Sequence, residues 1–289
     1  MSRLSPRCIR ILGGNPGRFT LQGTNTYLVG TGRSRILVDA GEGKAAWLDG
    51  LRASLAAENA VVGTALLTHR HVDHVGGVRD LLSLCPGAAV YKFPPCTLDD
   101  GRATPVGEIR DGTSFAVDGA TLIARHMAGH TADHTVFVLE EEDAMFTGDA
   151  VLGQGTSVCE DLPTYLESLA AMKGLFGGRA YPGHGPVIED GPARIEAYIE
   201  HRRQRQDQVL QTMRSRREED NRYVAWTAMD ITRVVYRDVP ENLHEAACAG
   251  VVQILGMLLS TGEVEERDTR SRWAATVEGG CKGYLQDRT

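Results

Sequence analysis

Thr68-His69-Arg70-His71-Val72-Asp73-His74 crowds three imidazoles and a carboxylate into a short stretch directly after the apolar run Val61-Val62-Gly63-Thr64-Ala65-Leu66-Leu67. No other feature constrains the chain as much. A buried strand ending in His-x-His-x-Asp-His presents those side chains at its C-terminal edge, where α/β folds place their chemistry. Imidazole and carboxylate are ligands that zinc and similar divalent ions prefer, and alternate residues of an extended loop point the same way. A polar, histidine-rich loop would account for one His-x-His. Four ligand-type side chains at this spacing point to a metal site.

Further ligand-type residues sit on turns beside strand-like segments. His130 lies in Ala128-Gly129-His130-Thr131, after the strand expected at residues 120–124. Asp149 lies in Phe146-Thr147-Gly148-Asp149, beyond the strand expected at 135–139 and the acidic turn 140–143. His184 lies in Tyr181-Pro182-Gly183-His184-Gly185-Pro186. The neighbouring glycines permit backbone conformations that let the main chain approach a metal closely. Taken singly, Gly-Asp or Gly-His is ordinary turn chemistry; their order after the first motif gives them weight.

This order resembles the metallo-β-lactamase superfamily. The resemblance implies an α/β fold, the αββα sandwich, with a dinuclear site at one edge. It would place one metal on His69, His71 and His130 and a second on Asp73, His74 and His184, with Asp149 bridging the two. Asp73 would also be the catalytic residue that orients or deprotonates the nucleophile. Every position of that pattern holds the expected residue type. A carboxylate bridge fits hydrolases of the glyoxalase II and nuclease type better than antibiotic-degrading lactamases, which usually lack it.

Ile11-Leu12-Gly13-Gly14-Asn15-Pro16-Gly17, Thr20-Leu21-Gln22-Gly23-Thr24-Asn25-Thr26-Tyr27-Leu28-Val29, the segment from Tyr181 to Ile188 and Glu241-Asn242-Leu243-His244-Glu245 narrow the resemblance to the lactamase-β-2-like subfamily, over nearly the whole chain. One branch of that subfamily comprises endoribonuclease-like proteins of animal cells. The other comprises fungal thioesterases that release polyketides, such as atrochrysone carboxylic acid, from a carrier protein. The stretches Gly13 to Thr20 and Asp161 to Leu166 look more like the fungal members.

With 289 residues the chain can bury a substantial core. Strands are expected at 10–12, 26–29 and 35–39, and helices at 44–55, 78–84 and 162–175, the last with Pro163 in its first turn. Phe93-Pro94-Pro95 and residues 97–105 read as a mobile, Pro/Gly-punctuated connection. Around Asp190-Gly191-Pro192 the pattern changes to long helices, at 194–217, 227–236 and 242–259, then a short hairpin at 261–266 and 272–274. This divides the chain into a catalytic domain, 1–190, and a smaller C-terminal helical domain, 191–289, that resembles a winged helix. That shape can bind nucleic acid, but fold does not imply function. Its acidic wing, Glu263, Glu265, Glu266 and Asp268, is a poor surface for phosphates. We expect it to wall the active-site cleft and to offer a homodimer contact.

No apolar run reaches the ~18 residues that suggest a membrane span, and residues 1–10 lack a hydrophobic signal core. The expectation is a cytoplasmic protein with no membrane partner, a mitochondrial address being left open by Arg3, Arg7 and Arg10. Cys8, Cys85, Cys96, Cys159, Cys248 and Cys281 contain no Cys-x-x-Cys and resemble neither a zinc ribbon nor a disulfide framework. A net charge of −7 gives no global attraction for nucleic acid. Arg202, Arg203, Arg205, Arg214, Arg216, Arg217 and Arg222 nevertheless form a local basic segment. With Ile195, Tyr198, Ile199, Val209, Leu210 and Met213 as an apolar side, a solvated helix face is favoured over an RNA or carrier-protein track.

The ligands set the chemistry. Two divalent ions roughly 3.5–4 Å apart share a water and lower its pKa from about 15.7 to about 7, and the hydroxide attacks an electrophilic carbon or phosphorus. A thioester's leaving thiolate needs little protonation, whereas a phosphodiester's alkoxide wants a proton donor. His134 is available for that or for support behind the ligands, although an ordinary buried histidine is its favoured reading. Five imidazoles and two carboxylates suit zinc, while manganese or iron would also be accommodated. Thr68, Thr131 and backbone carbonyls are the expected supports behind the ligands. Phe19, Leu21, Gln22 and Tyr165 are candidate substrate contacts. The favoured expectation is a two-metal thioesterase acting by metal-hydroxide attack on an acyl thioester held by the acyl carrier protein domain of a polyketide synthase. The alternative is a metal-dependent endoribonuclease of single-stranded RNA, the only reading with a nucleic-acid partner. A metal-free binding protein is disfavoured because no ligand position has been lost.

Overall fold

The computed structural model describes residues 1–95, 105–215, 218–219, 222–223, 225–268 and 272–275. Expectations that rested on Cys96, residues 97–104, Arg216, Arg217 and Cys281, and on the side chains of Arg222 and Asp268, lie outside the described residues. The chain forms two compact units, Met1–Ile199 and Glu200–Thr289.

In the first unit a seven-stranded sheet runs in chain order through β1 (Ser2–Ser5), β2 (Cys8–Leu12), β3 (Asn25–Val29), β4 (Ser34–Val38), β5 (Val61–Leu67), β6 (Ala89–Lys92) and β7 (Gly107–Glu108). Its first four strands pair antiparallel and the rest parallel, the parallel crossovers carrying α1 (Ala45–Ala57), the single turn α2 (Val72–Val75) and α3 (Val78–Leu84). Successive strand residues take opposite faces. Leu28 and Leu37 therefore join Trp47, Leu51 and Leu81 in a core under the helices. Tyr27, Val29, Ile36 and Val38 point the other way, into a core shared with Leu122, Phe137, Phe146 and Tyr181 of a second sheet. That sheet has the order β12 (Ala180–Pro182), β11 (Ala144–Gly148), β10 (Thr135–Leu139), β9 (Ala120–His126), β8 (Ser114–Val117).

α4 (Leu162–Met172) buries Leu162, Tyr165, Leu169 and Met172 on one face. Its start is set by Asp161, whose carboxylate accepts a hydrogen bond from the Thr164 N–H at 2.8 Å, and by Pro163 in the first turn. β1, β6, β7, β8, β11 and β12 were not anticipated from the sequence; each is two to five residues long, too short for a hydrophobic pattern to mark it.

Two parallel pairs position the site. β4 pairs with β5 and β11 with β12, so their C-terminal ends lie side by side and release Asp39 beside Thr68, and Asp149 near His184. The β9–β10 connection supplies His130.

α5 (Gly191–Arg214) begins in the first unit and ends in the second. The second unit contains the short pair β13 (Glu218–Glu219) and β14 (Arg222–Tyr223). It also holds α6 (Ala228–Val235), α7 (His244–Ser260) and a three-stranded sheet of β15 (Trp226–Thr227), β17 (Arg272–Ala275) and β16 (Val264–Asp268), in the order β15-β17-β16. This is the expected helix and hairpin pattern of a winged helix. Thr227 and Asp230 form a reciprocal capping box that starts α6. His244 donates from Nε2 to the carbonyls of Tyr236 and Val239, at 3.1 and 3.0 Å, fixing the turn into α7. Arg205 of the basic segment stacks over Tyr236 at 4.2 Å and donates to the Val235 carbonyl, so part of its charge is committed to packing. Contrary to the sequence expectation, one segment, Glu241–Ser260, is long and apolar enough to cross a membrane by length and composition, with 28% of its most apolar window buried.

Candidate metal centre

All seven predicted ligands converge. His69, His71 and His130 form one group, Asp73, His74 and His184 another, and Asp149 joins His69 and His74 in a third, with the ligand-type atoms of each group within 4.8 Å of one another. His71 Nδ1 lies 3.0 Å from His69 Nε2 and 3.2 Å from His130 Nε2. Asp149 lies between the two triples: Oδ1 is 3.4 Å from His74 Nε2, and Oδ2 is 3.2 Å from His184 Nε2 and 3.9 Å from His130 Nε2.

The residues behind these groups decide which nitrogens face inward. Asp39, held at φ +61° at the end of β4, accepts from the Thr68 N–H and from the Thr68 hydroxyl. The same hydroxyl accepts from His69 Nδ1 at 2.9 Å, and His74 Nδ1 donates directly to Asp39 Oδ2 at 2.7 Å. One buried carboxylate thus sets the tautomer of two imidazoles and turns both Nε2 atoms inward. His130 Nδ1 donates to the Val158 carbonyl at 2.7 Å and lies 3.2 Å from Ser157 Oγ. Thr68 and a backbone carbonyl take the supporting places expected of them. Thr131 does not: its hydroxyl is buried with no hydrogen-bond partner among the described residues.

Sequence reading missed Asp39, Thr24 and Ser157. A strand ending in an aspartate before Ala40-Gly41 was the one signal for Asp39. Thr24 accepts from Asn15 Nδ2 and donates to Asp73 Oδ2 at 2.9 Å. The remainder of that motif braces the His184 turn: Gln22 donates to the Gly185 carbonyl, Asn25 to the carbonyls of Pro182 and Gly185, and Tyr27 to that of Pro182. His134 is fully buried and accepts from the Asp149 N–H at 3.2 Å, which makes it a prop for Asp149. Gly183 is required by space, because a Cβ there would stand 2.2 Å from Asp149 Oδ1 and 2.9 Å from the His74 ring.

Electrostatics divide the cluster. Burial and the neighbouring His74 hold His69 well below its ordinary pKa, and burial with His130 lowers His71. In the other half, burial opposes the cationic form of His74, yet Asp149 and Asp39 raise it well above the usual value. His184 is raised to about 9 against burial by Asp149 and Asp73. Burial pushes the Asp73 carboxyl up, but the His184 and His74 rings near Oδ2 outweigh it and hold it low. Asp149 is likewise held low against burial by His74 and His184. His74 Nε2 and Asp149 Oδ1 are buried without a hydrogen-bond partner among the described residues. Neutral imidazoles beside carboxylates held together by imidazolium protons form an arrangement that divalent cations would complete. The donor set fits.

The cluster opens onto a cavity of about 430 Å³ whose wall includes Phe19, Leu21, Leu152 and Val158, with His71, Asp73, His130, Asp149 and His184 at its base. Of the four candidate substrate contacts, Phe19 and Leu21 line this cavity. Gln22 and Tyr165 are not among its lining residues: Gln22 braces the His184 turn, and Tyr165 is buried with its hydroxyl on the Ala150 carbonyl.

The profile of the metallo-beta-lactamase superfamily matches residues 19–184, and that of the beta-lactamase associated winged helix domain matches residues 227–273. The lactamase-like protein adaB of Aspergillus niger is 42% identical over 285 residues, covering 95% of this chain and 88% of the relative. The atrochrysone carboxyl ACP thioesterase of Aspergillus chevalieri is 43% identical over 255 residues, covering 88% and 80%. A metallo-beta-lactamase family protein of Thermus thermophilus shares the fold with a TM-score of 0.74 at 22% identity, over 95% of this chain and all of that one. The chain belongs to the metallo-β-lactamase superfamily and is a hydrolase of that class, with a C-terminal winged-helix domain.

Proposed function

We propose that the protein is a two-metal thioesterase that releases a polyketide acyl group, of the atrochrysone carboxylic acid type, from an acyl carrier protein. The observation that carries this reading is the cavity: the His/Asp cluster opens onto walls of Phe19, Leu21, Leu152 and Val158, and Arg18 is the only Lys or Arg among its described lining residues. Apolar walls suit an acyl body, whereas a track for single-stranded nucleic acid needs a row of cations. The identity to fungal lactamase-like proteins, one of them named as an acyl carrier protein thioesterase, points the same way.

Bound in this cradle, two divalent ions, zinc by the character of the donors and manganese as an alternative, would acidify a shared water and polarise the thioester carbonyl. The chain's own residues supply the rest. Every contact of the Asp73 carboxylate with the described residues falls on Oδ2, from Thr24, His74 and His184. Oδ1 remains to orient the attacking water and to hold its proton. Asp39 keeps His69 and His74 in the Nδ1–H tautomer throughout. The leaving thiolate departs without a proton donor, which suits a site whose extra histidine, His134, is buried beneath Asp149 and does not line the cavity.

The test is a parallel assay of zinc- and manganese-loaded protein on an aromatic acyl thioester of a carrier protein and on labelled single-stranded RNA, with Asp73→Ala as the control. Thioester cleavage that depends on Asp73, without RNA cleavage, is the expected result. RNA cleavage without thioester cleavage would overturn the reading in favour of the ribonuclease.

A further inference from the structure

Apart from the N-terminal Met1, the most exposed large apolar side chains among the described residues lie at or beside the cavity lining. Of the large apolar side chains, Phe19 is the most exposed at 76%, followed by Val158 and the N-terminal Met1 at 71% each and Val72 at 64%. Phe19 and Val158 line the cavity, and Val72 sits in the metal loop between His71 and Asp73. Singly exposed apolar side chains are ordinary, but Phe19 and Val158 line the cavity that holds the His/Asp cluster at its base, where a ligand would cover them.

The arm that carries Phe19 is pre-shaped. Leu21 is held in the left-handed region at φ +56°, the Gly17 N–H donates to the Leu21 carbonyl at 3.1 Å, and the Thr20 hydroxyl donates to the Asn15 carbonyl at 2.6 Å. A non-glycine residue kept at such a φ, in a tight turn beside the site, is backbone strain of the kind that persists where surrounding contacts fix a binding surface. Arg18, on the same arm, is exposed, and its guanidinium lies 5.7 Å from the Phe19 ring. It has no carboxylate partner among the described residues, whereas Arg70 of the metal loop is committed to Glu160 and Asp133. A fixed aromatic face with an uncommitted cation beside it recognises a ligand that is apolar and anionic on adjacent parts.

We propose that Arg18 and Phe19, which line the cavity together with Val158, form a substrate-selecting subsite for thioesters that join an apolar acyl body to an anionic group. This rests on the thioesterase reading above and deepens it. Phe19, Leu21 and Val158 cover the acyl body, and Arg18 takes the anionic oxygen. That oxygen belongs either to a carboxylate on the acyl group or to the phosphate of the arm that tethers it to the carrier. Both present the same chemistry to a guanidinium.

Four thioesters separate the sources when offered to zinc-loaded wild type, Arg18→Ala and Phe19→Ala. They are a neutral aromatic acyl N-acetylcysteamine thioester, the same compound with a carboxylate on the acyl group, the neutral acyl group on phosphopantetheine, and acetyl phosphopantetheine. Arg18→Ala is expected to raise KM about tenfold more for whichever anionic thioester it reads than for the neutral one, so that the preference for the anionic thioester falls about tenfold. Phe19→Ala is expected to raise KM about tenfold for the aromatic substrates and little for the acetyl compound. Unchanged KM in both variants on every substrate that wild type cleaves would overturn the subsite while leaving the thioesterase reading intact. Wild-type protein that cleaves none of the four, nor an acyl carrier protein thioester, would remove the parent reading and the subsite with it.

Discussion

Asp39 stands behind two imidazoles of the first sheet, whereas His130 of the second sheet leans on the Val158 carbonyl and the Ser157 hydroxyl. The first support is a buried charge at the end of a core strand; the second is neutral and belongs to the loop that also walls the cavity. A charged support fixes the tautomer and raises the basicity of the ligands in front of it. A neutral support on a rim loop holds one ligand in place while leaving it coupled to whatever fills the cavity. The two halves of the cradle should therefore respond unequally to equivalent damage.

The largest effect belongs to neither support. Asp73→Ala is expected to lower turnover by about 10²–10⁴-fold while leaving the fold intact, because Asp73 lines the cavity and its hydrogen bonds and ion pairs to the described residues fall on Oδ2, leaving Oδ1 for the nucleophile. Residual hydrolysis near the wild-type rate, with normal circular dichroism, would remove Asp73 from the chemistry. Lys92→Met probes the ground beneath both halves. Lys92 is buried against Asp133, which sits between His130 and His134, and Arg70, between His69 and His71, reaches the same carboxylate at 3.5 Å. Leaving that buried carboxylate without its ammonium is expected to cost about 3–5 kcal/mol of stability, read by urea unfolding of the metal-free protein. A loss below about 1 kcal/mol would mean that Arg70 suffices.

Asp39→Asn tests the charged support directly. The amide nitrogen can point at His74 Nδ1 and favour the wrong tautomer, turning Nε2 into a donor. Metal affinity is expected to fall about 10–100-fold, measured by competition with a chelator. Loss confined to activity, with metal affinity unchanged, would sink this account of Asp39.

Acid and base act on the halves differently as well. In the metal-free protein His74 and His184 are raised, so their pairing with the carboxylates stabilises fully below the unfolded imidazole value of about 6.5. That stabilisation is lost as pH rises through about 9 for His184. Asp73 and Asp149 are depressed, so their contribution is present above the ordinary carboxylate range and is lost only in strong acid. A metal ion must displace the imidazole protons, so its apparent affinity should climb between about pH 6 and about pH 9, with protons released on binding at neutral pH. Calorimetry in two buffers of different ionisation enthalpy reads this directly, and binding without proton release would contradict it.

What could be read from the sequence follows the same division. The seven ligand-type residues were visible because they are crowded, or flanked by glycines, at the ends of segments with a clear apolar run. Their supports were not, because support is a relation between segments distant in the chain. Asp39 meets His74 across 35 positions, Thr24 meets Asp73 across 49, and the Gln22 and Asn25 side chains brace a turn more than 150 residues away. Such pairings follow from the parallel registers of β4 with β5 and β11 with β12, which no local pattern encodes. His134 is buried, as its favoured reading had it, and supports Asp149 rather than acting as a proton donor. The turn through Thr131 and Asp133, which carries it under Asp149, is likewise not encoded by its distance from His130 in the sequence.

Ser157→Ala is the smallest change and the sharpest test of the contrast. Removing the hydroxyl leaves His130 Nδ1 still donating to the Val158 carbonyl at 2.7 Å, so the tautomer survives. Loss of one neutral hydrogen bond should weaken metal binding only about threefold. Because Ser157 and Val158 also line the cavity, the same substitution should shift KM for a bulky acyl thioester more than it shifts metal affinity. A loss of metal affinity equal to that of Asp39→Asn would show that the two halves are held alike. A small loss of affinity with a raised KM would place the second sheet's ligand under the influence of the substrate, and the first sheet's ligands outside it.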